Sequence, residues 1–169
     1  LLVVPPGGDA WRESIVQPIP YAVSPPLGEL RELMSETGAG RAADVWKDAL
    51  RETVDAIAGL TAVDGAAVIT EQYDVLAFGA KIQRRRGAAP VETVTMTEPI
   101  AGGVPAMLSV SQLGGTRHLS AAQFVHDQRN AIALVVTLAV MLRLSSPRSA
   151  AHSGTCELTR PLRPPSTTR

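Results

Sequence analysis

The amino-acid sequence predicts an α/β fold in which a mixed, twisted β-sheet is flanked by helices. Apolar residues recur at helical spacing in residues 40–60, which indicates an amphipathic helix. Two short β-type runs, "AAVIT" and "VLAFGAKI", stand on either side of "EQYD", as in a hairpin. Further on, a short helical stretch separates an alternating run at 91–100 from an apolar run at 130–140. This order of elements is typical of a sheet covered by helices.

Composition and charge limit the class of protein. The chain has 169 residues, 45% of them hydrophobic and 19% charged, which fits one soluble globular domain. Its 16 basic and 16 acidic side chains balance, which argues against a protein that coats DNA or RNA. The single Cys156 excludes an internal disulfide, and the apolar run at 131–144 is too short to cross a bilayer. We therefore expect a cytoplasmic protein that binds neither DNA nor a membrane.

The N-terminal part predicts a strand, a connector and one long helix. "LLVVPP" is typical of a buried strand ended by prolines, and the Pro- and Gly-rich residues 5–28 predict an extended connector. Because the first residue is Leu rather than Met, we expect residues 1–28 to include the end of a preceding region. The helix at 40–60 is expected to lie on a core and to end near Gly59. Its apolar stripe consists of Ala43, Trp46, Leu50, Val54 and Ile57.

The C-terminal part predicts the end of the folded domain, which we expect to span residues 29–144. A helix at 119–128 leads into a buried strand at 130–140, for which the sequence suggests no following turn and no pairing partner. Residues 145–169 are rich in Ser, Thr, Pro and Arg and predict a disordered tail. A truncated or frame-shifted reading of the gene would produce such an end.

The first candidate site is "DGA", residues 64–66, at the start of the first hairpin strand. Asp64 offers a carboxylate of the kind that a divalent cation binds, and Gly65 would let the backbone approach a ligand. Asp-Gly is also one of the commonest turn pairs, here between a helix and a strand. Taken alone, these residues fit a plain turn better than a binding site.

The second candidate site is "GGTRH", residues 114–118, directly before a helix. Gly114 and Gly115 permit close approach of a ligand, Thr116 supplies a hydroxyl, and Arg117 and His118 supply charge or hydrogen-bond donors. A helix start combined with an arginine suits a phosphate group. The alternative is a helix start with a threonine cap and two basic surface residues.

Together the two motifs, each at the start of its own element, resemble those of the diadenylate cyclase domain family over residues 40–140. In that family, two ATP-loaded domains meet face to face and condense their ATP into cyclic di-AMP. The resemblance implies that Asp64 binds Mg²⁺ or Mn²⁺ and helps to activate the ribose 3′-hydroxyl. It also implies that Gly65 and Ala66 line the nucleotide.

For the second motif, the resemblance implies that Gly115, Thr116, Arg117 and His118 bind the nucleotide and hold its phosphates. The implied assembly is a homodimer. The output domain or protein that would receive a signal is not indicated by the sequence.

The match departs from the family pattern after His118. The family continues into a second arginine and two alanines, whereas Leu119 and Ser120 come first here. Losing one charge-assisted phosphate contact costs about 1.5–3 kcal/mol. We therefore expect a divergent sensor domain that binds an adenine nucleotide or a cyclic dinucleotide. The alternatives are an active diadenylate cyclase and a structural α/β domain without a ligand.

Other residues give weaker signals. The three arginines at 84–86 are typical of a solvated loop. His118 and His126 are not at the four-residue spacing of a helical metal pair. Trp46 and Phe124 fit core positions.

Overall fold

The computed structural model describes residues 1–38, 44–97, 104–128, 130–136, 141–145 and 155–159. These residues form an α/β fold with mixed β-sheet and helices, which confirms the predicted fold class. The chain divides into two compact units, Leu1–Arg85 and Arg86–Arg169, which are described in turn. The division into residues 1–28, 29–144 and 145–169 stays a prediction.

The described residues of the first unit form four strands, two α-helices and a short 3₁₀ helix at Ala10–Ser14. Its strands follow the order β2-β4-β3-β1, with β1 parallel to β3 and the other neighbours antiparallel. The strands are β1 (Leu2–Val4), β2 (Tyr21–Leu27), β3 (Ala66–Thr70) and β4 (Val75–Ala80). The helices are α1 (Glu29–Ser35) and α2 (Asp44–Leu60).

Strand β2 corrects the prediction of a plain connector at 5–28. It pairs antiparallel with β4, and the ring of Tyr21 stacks on that of Phe78 with centroids 4.7 Å apart. Proline discouraged a strand assignment because it lacks the N–H that an inner strand needs. An edge strand tolerates proline, and β2 is the outermost strand of this unit's sheet.

Helix α2 confirms the periodicity but not the burial. It begins at Asp44 and ends at Leu60, and residues 40–43 of the predicted helix lie outside the described residues. None of its residues is buried, and Val54 is 46% exposed. Trp46 is half-buried and donates from Nε1 to the carbonyl of Leu33 at 3.0 Å, which ties α2 to α1. Periodicity identifies the residues that share a face, but it does not tell what covers that face.

The hairpin of β3 and β4 is confirmed, with a turn built around one side chain. Thr70 Oγ1 accepts from the N–H groups of Gln72 and Asp74, at 3.2 and 3.0 Å. Because the hydroxyl satisfies these two N–H groups, the chain reverses within four residues. The core of the unit is apolar and consists of residues such as Leu2, Val4, Trp11, Ile15, Val68, Val75 and Ala77.

Within the part of the second unit that the structure describes, five strands follow the order β7-β8-β9-β5-β6, with β5 and β9 parallel and the other neighbours antiparallel. A 3₁₀ turn at Val110–Gln112 precedes helix α3 (Thr116–Asp127), which packs over β7 and β8. The strands are β5 (Thr93–Thr97), β6 (Ala106–Ser109), β7 (Ile132–Val136), β8 (Met141–Ser145) and β9 (Thr155–Thr159).

One expectation about the C-terminal part was wrong, and another stays a prediction. The strand at 130–140 does have a pairing partner, because β8 runs antiparallel to β7 and places Ala133 opposite Leu144. The disordered tail at 145–169 stays a prediction, and within it residues 155–159 are described as β9, which pairs with β5 and β8. Residues 146–154 and 160–169 lie outside the described residues. Pairing with distant strands stabilises such segments, and local composition does not reveal it.

Helix α3 begins three residues earlier than predicted, at Thr116 rather than at 119. Phe124 lies in the core, as predicted, and has no exposed surface. Among the described residues, no helix combines the length and the apolarity that crossing a membrane requires.

Candidate functional site

The start of helix α3 lacks a side-chain cap. Gly115 is the N-cap residue, and no side chain bonds to the first turn. Thr116 therefore does not cap the helix, unlike in the alternative interpretation of the sequence. The N–H groups of His118 and Leu119 both bond to the Gly115 carbonyl, at 3.0 and 3.3 Å. Those of Thr116 and Arg117 have no acceptor among the described residues. The helix start therefore offers two N–H donors at the positive end of its dipole.

Gly114 is required by the backbone and by the ring of His118. Its φ is +133°, and a Cβ at this position would lie 2.8 Å from Nδ1 of His118. His118 is only 9% exposed, and its Nδ1 has no hydrogen-bond partner among the described residues. The histidine expected to hold phosphate is thus buried against Gly114. Arg117, by contrast, is exposed and has no ion pair within the described part of the chain.

A cavity of about 440 Å³ opens beside this helix start, within the second unit. Its size is in the range of small-molecule sites, roughly 300–1,000 Å³. It is lined by backbone and side chains of α3, of the segment before β5 and of the turn after β6. The lining residues are Val91, Glu92, Ser109, Val110, Ser111, Gly114, Gly115, Thr116 and Leu119.

The wall opposite the helix carries hydroxyl groups and one carboxylate. Ser109 and Gln112 form a capping box, and the hydroxyls of Ser109 and Ser111 lie 2.9 Å apart. The N–H of Val110 donates to the carbonyl of Glu92 at 3.0 Å, which holds this turn beside the glutamate. Glu92, Ser109 and Ser111 were not among the site residues predicted from the sequence. The S-x-x-Q spacing at 109–112 was the available signal for the turn.

Gln123 joins the two walls of the cavity. Its side-chain Oε1 accepts from the Val91 N–H at 2.9 Å, and its Nε2 donates to the Ala89 carbonyl at 3.1 Å. Nε2 also donates to Asp127 Oδ1 at 2.7 Å. Gln123 is 9% exposed and sits on α3, so it fixes the segment that leads to Glu92 against the helix.

The "DGA" motif lies in the first unit. Asp64 is exposed and forms an ion pair with Lys81. Gly65 has a φ of +131°, and a Cβ there would lie 2.4 Å from the carbonyl carbon of Gly79. Ala66 is half-buried and pairs with Ala80 in the hairpin. The glycine is therefore explained by the close approach of β3 and β4, while the carboxylate remains at the surface.

The structure therefore assigns the two motifs to different units, with "DGA" in Leu1–Arg85 and "GTRH" in Arg86–Arg169. Within the described ranges, no group of three His, Cys, Asp or Glu side chains is arranged to hold a metal ion. Of the three arginines at 84–86, Arg85 pairs with Glu13 at 2.6 Å.

Comparisons with protein-family models, with curated proteins and with solved structures find nothing that matches this chain. The resemblance to the diadenylate cyclase domain family stays a prediction from the two motifs.

Proposed function

We propose that this chain is a diadenylate-cyclase-like sensor domain that binds an adenine nucleotide or a cyclic dinucleotide at the start of helix α3. The observation that carries the proposal is the uncapped helix start beside a cavity of about 440 Å³. The N–H groups of Thr116 and Arg117 are donors suited to phosphate oxygens. The exposed Arg117 adds a guanidinium, which binds phosphate through two parallel hydrogen bonds.

The remainder of the cavity favours a nucleotide over a free phosphate ion. Ser109 and Ser111 provide hydroxyls, and Glu92 provides an acceptor for the O–H groups of a ribose. A free phosphate beside Glu92 would meet charge repulsion without this compensation. Val91 and Leu119 provide apolar surface for a base.

Binding without turnover is favoured by Leu119. This residue stands where the family pattern has a second arginine, and it is 47% exposed and lines the cavity. Phosphoryl transfer depends on neutralising charge as it develops, so an apolar side chain at this position weakens catalysis more than binding.

The metal ion, the homodimer and the output partner are further parts of the proposal. Mg²⁺ or Mn²⁺ fits Asp64 in one respect, since hard divalent cations prefer carboxylate oxygens. Lys81 already neutralises this carboxylate, so a metal ion would have to displace the lysine. The contribution of Asp64 is therefore tested separately from that of Arg117.

The test is calorimetric titration of ATP and of cyclic di-AMP, each with and without Mn²⁺, into the full chain. Arg117→Ala is expected to weaken binding about 10- to 100-fold, because it removes a charge-assisted contact. Arg51→Ala is the matched control, since Arg51 is exposed on α2 and pairs only with the exposed Asp48 among the described residues. Chromatography of the same samples reports any cyclic di-AMP formed from ATP.

Saturable binding that Arg117→Ala weakens, with no product, supports the sensor. Product formation would replace it with the active cyclase. Equal binding by the two arginine variants would overturn the phosphate assignment. No binding by the folded chain would favour a structural domain in which "GTRH" only begins a helix.

A further inference from the structure

Three consecutive arginines lie in an exposed segment without regular secondary structure. The chain between β4 and β5 is fully described, and residues 83–92 belong to no helix or strand. Within this segment Arg84, Arg85, Arg86 and the following Gly87 are all exposed. Exposed segments of this kind are where endopeptidases cut folded chains.

The backbone around the arginines forms few bonds to the rest of the protein. Arg84, Arg86, Gly87 and Ala88 take part in no hydrogen bond with any described residue. An extended peptide binds to a partner protein through its backbone N–H and C=O groups. At these residues the groups can be bound by an endopeptidase without the loss of an existing hydrogen bond.

Two glutamines fix this segment at its ends, each within its own unit. The Gln83 N–H donates to the Ser14 carbonyl at 2.9 Å, and Gln83 Nε2 donates to the Ile15 carbonyl at 3.0 Å. Beyond the arginines, Gln123 Nε2 donates to the Ala89 carbonyl at 3.1 Å. The residues between these anchors can therefore move away from the surface without the opening of a helix or a strand.

Arg86 is the arginine of this run that is best placed for recognition. It forms no ion pair within the described part of the chain, whereas Arg85 pairs with Glu13 at 2.6 Å. Gly87 has a φ of +80°, and a Cβ there would meet no atom within 4 Å. The bond from Arg86 to Gly87 thus joins an accessible guanidinium to a residue with open space around it. Trypsin binds such a guanidinium through an aspartate in its specificity pocket.

The other basic residues that the structure describes are protected by regular elements, with Lys81 as the exception. The Lys81 carbonyl accepts from the Val16 N–H at 2.8 Å, which holds the backbone there. Cleavage in a helix or a strand requires local unfolding first, so it should be slow. The residues in helices or strands are Arg12, Arg31, Lys47, Arg51, Arg117 and Arg143.

We propose that the peptide bond from Arg86 to Gly87 is a cleavage site for an endopeptidase that binds arginine through a carboxylate in its specificity pocket. In this reaction, water adds to the carbonyl carbon of Arg86 and the C–N bond to Gly87 breaks. The water supplies the oxygen of a new carboxylate at Arg86 and a proton to a new amine at Gly87. The products are residues 1–86 and 87–169. The proposal does not depend on nucleotide binding, because neither Arg86 nor Gly87 lines the cavity at helix α3.

The test is limited digestion of the folded full chain with trypsin as the probe. Mass spectrometry of samples taken at successive times gives the initial rate of cleavage at each bond. We expect cleavage after Arg86 to be at least about 10-fold faster than cleavage after Arg51 or Arg117, because these two bonds lie in helices that must first open.

A variant of the anchor tests whether local opening controls the rate. Gln123→Ala removes the bond to the Ala89 carbonyl and so lengthens the segment that can leave the surface. It is expected to speed cleavage after Arg86 about 3- to 10-fold, as the loss of a hydrogen bond would, and to leave the rate after Arg51 unchanged. Gln17→Ala, which changes an exposed glutamine of the first unit, is the matched control. Circular dichroism checks that both variants are folded.

The proposal is supported if cleavage after Arg86 comes first and only Gln123→Ala accelerates it. It is overturned if trypsin cuts after Arg51 or Arg117 as fast as after Arg86. It is also overturned if Gln123→Ala accelerates cleavage after Arg51 and after Arg86 equally, because cleavage would then follow unfolding of the whole chain. No acceleration by Gln123→Ala would likewise contradict the opening between the two anchors.

Discussion

The side chain of Gln123 on helix α3 accepts a hydrogen bond from the backbone N–H of Val91 at 2.9 Å. The two residues are 32 positions apart in the sequence. Together with the bond from Gln123 Nε2 to the Ala89 carbonyl, this bond links the helix that begins the candidate phosphate site to the segment that carries Glu92. Its geometry makes Gln123 a residue that holds the cavity in shape without lining it.

We expect Gln123→Ala to lower the free energy of unfolding by about 1–3 kcal/mol, because it leaves the buried Val91 N–H without an acceptor. Urea denaturation measures this change. Gln17→Ala is the matched control, since Gln17 is exposed and makes only a 3.4 Å bond to the Arg12 carbonyl among the described residues. The control should change stability by less than about 0.5 kcal/mol. Equal midpoints for the two variants would contradict the role given to Gln123.

Two glycines of the first unit should respond in opposite ways to the same substitution. Gly65→Ala places a methyl group 2.4 Å from the carbonyl carbon of Gly79 at a φ of +131°, so it should destabilise by more than about 1 kcal/mol. Gly59→Ala lies in helix α2 with no atom within 4 Å of the added carbon. It should be neutral or stabilise by up to about 1 kcal/mol. Thermal denaturation compares the two, and a stable Gly65→Ala would show that the approach of β3 to β4 is looser than described.

The ion pair between Asp64 and Lys81 gives a test of the metal assignment. Both side chains are largely exposed, so Lys81→Ala should change stability by no more than about 1 kcal/mol. If Asp64 binds a metal ion with the nucleotide, this variant should strengthen the Mn²⁺-dependent part of ATP binding, because the competing lysine is gone. Asp64→Asn should abolish that part and leave the fold intact. If both variants bind Mn²⁺ and ATP as the original chain does, Asp64 is no metal ligand.

The ion pair of Arg31 and Asp74 should be worth more than an ion pair on the helix surface. Asp74 is only 10% exposed through its side chain, so Arg31→Met leaves a mostly buried carboxylate without its cation. We expect a loss of about 1–2 kcal/mol in the free energy of unfolding. Arg51→Met breaks a pair in which both side chains are more than 70% exposed, and it should cost less than about 0.5 kcal/mol. A similar cost for both, measured in urea, would mean that α1 does not depend on this contact.

The elements predicted well are those whose signal is local. The hairpin of β3 and β4 combines two apolar β-type runs with a four-residue turn, and the bonds of Thr70 Oγ1 lie within that turn. The period of α2 was also correct. The exposure of this helix could not be predicted from the sequence. The helical spacing shows that Trp46, Leu50 and Ile57 share one face of α2, but it does not show which part of the protein packs against that face.

The elements missed are those held by distant partners. The pairing of β9 with β5, which lies more than fifty residues away, leaves no trace in the local composition of β9. The candidate site divides in the same way. The helix that follows Gly115 was predicted from local residues, but the prediction began at residue 119 and missed the first turn. The bond from the Val110 N–H to the Glu92 carbonyl brings Glu92 beside Ser109 and Ser111 at the cavity. This bond joins two stretches that are separate in the sequence, so local patterns do not reveal it.

Strand β2 has a consequence for how this chain behaves at high concentration. It is the outermost strand of the first unit's sheet, and six of its seven residues are exposed. Two of those residues, Pro25 and Pro26, have no N–H. Because adjacent residues of a strand direct their N–H groups to opposite sides, one of the two prolines removes a donor from the open edge. Growth of the sheet by strands from neighbouring molecules, the first step of fibril formation, is therefore hindered at this end of β2.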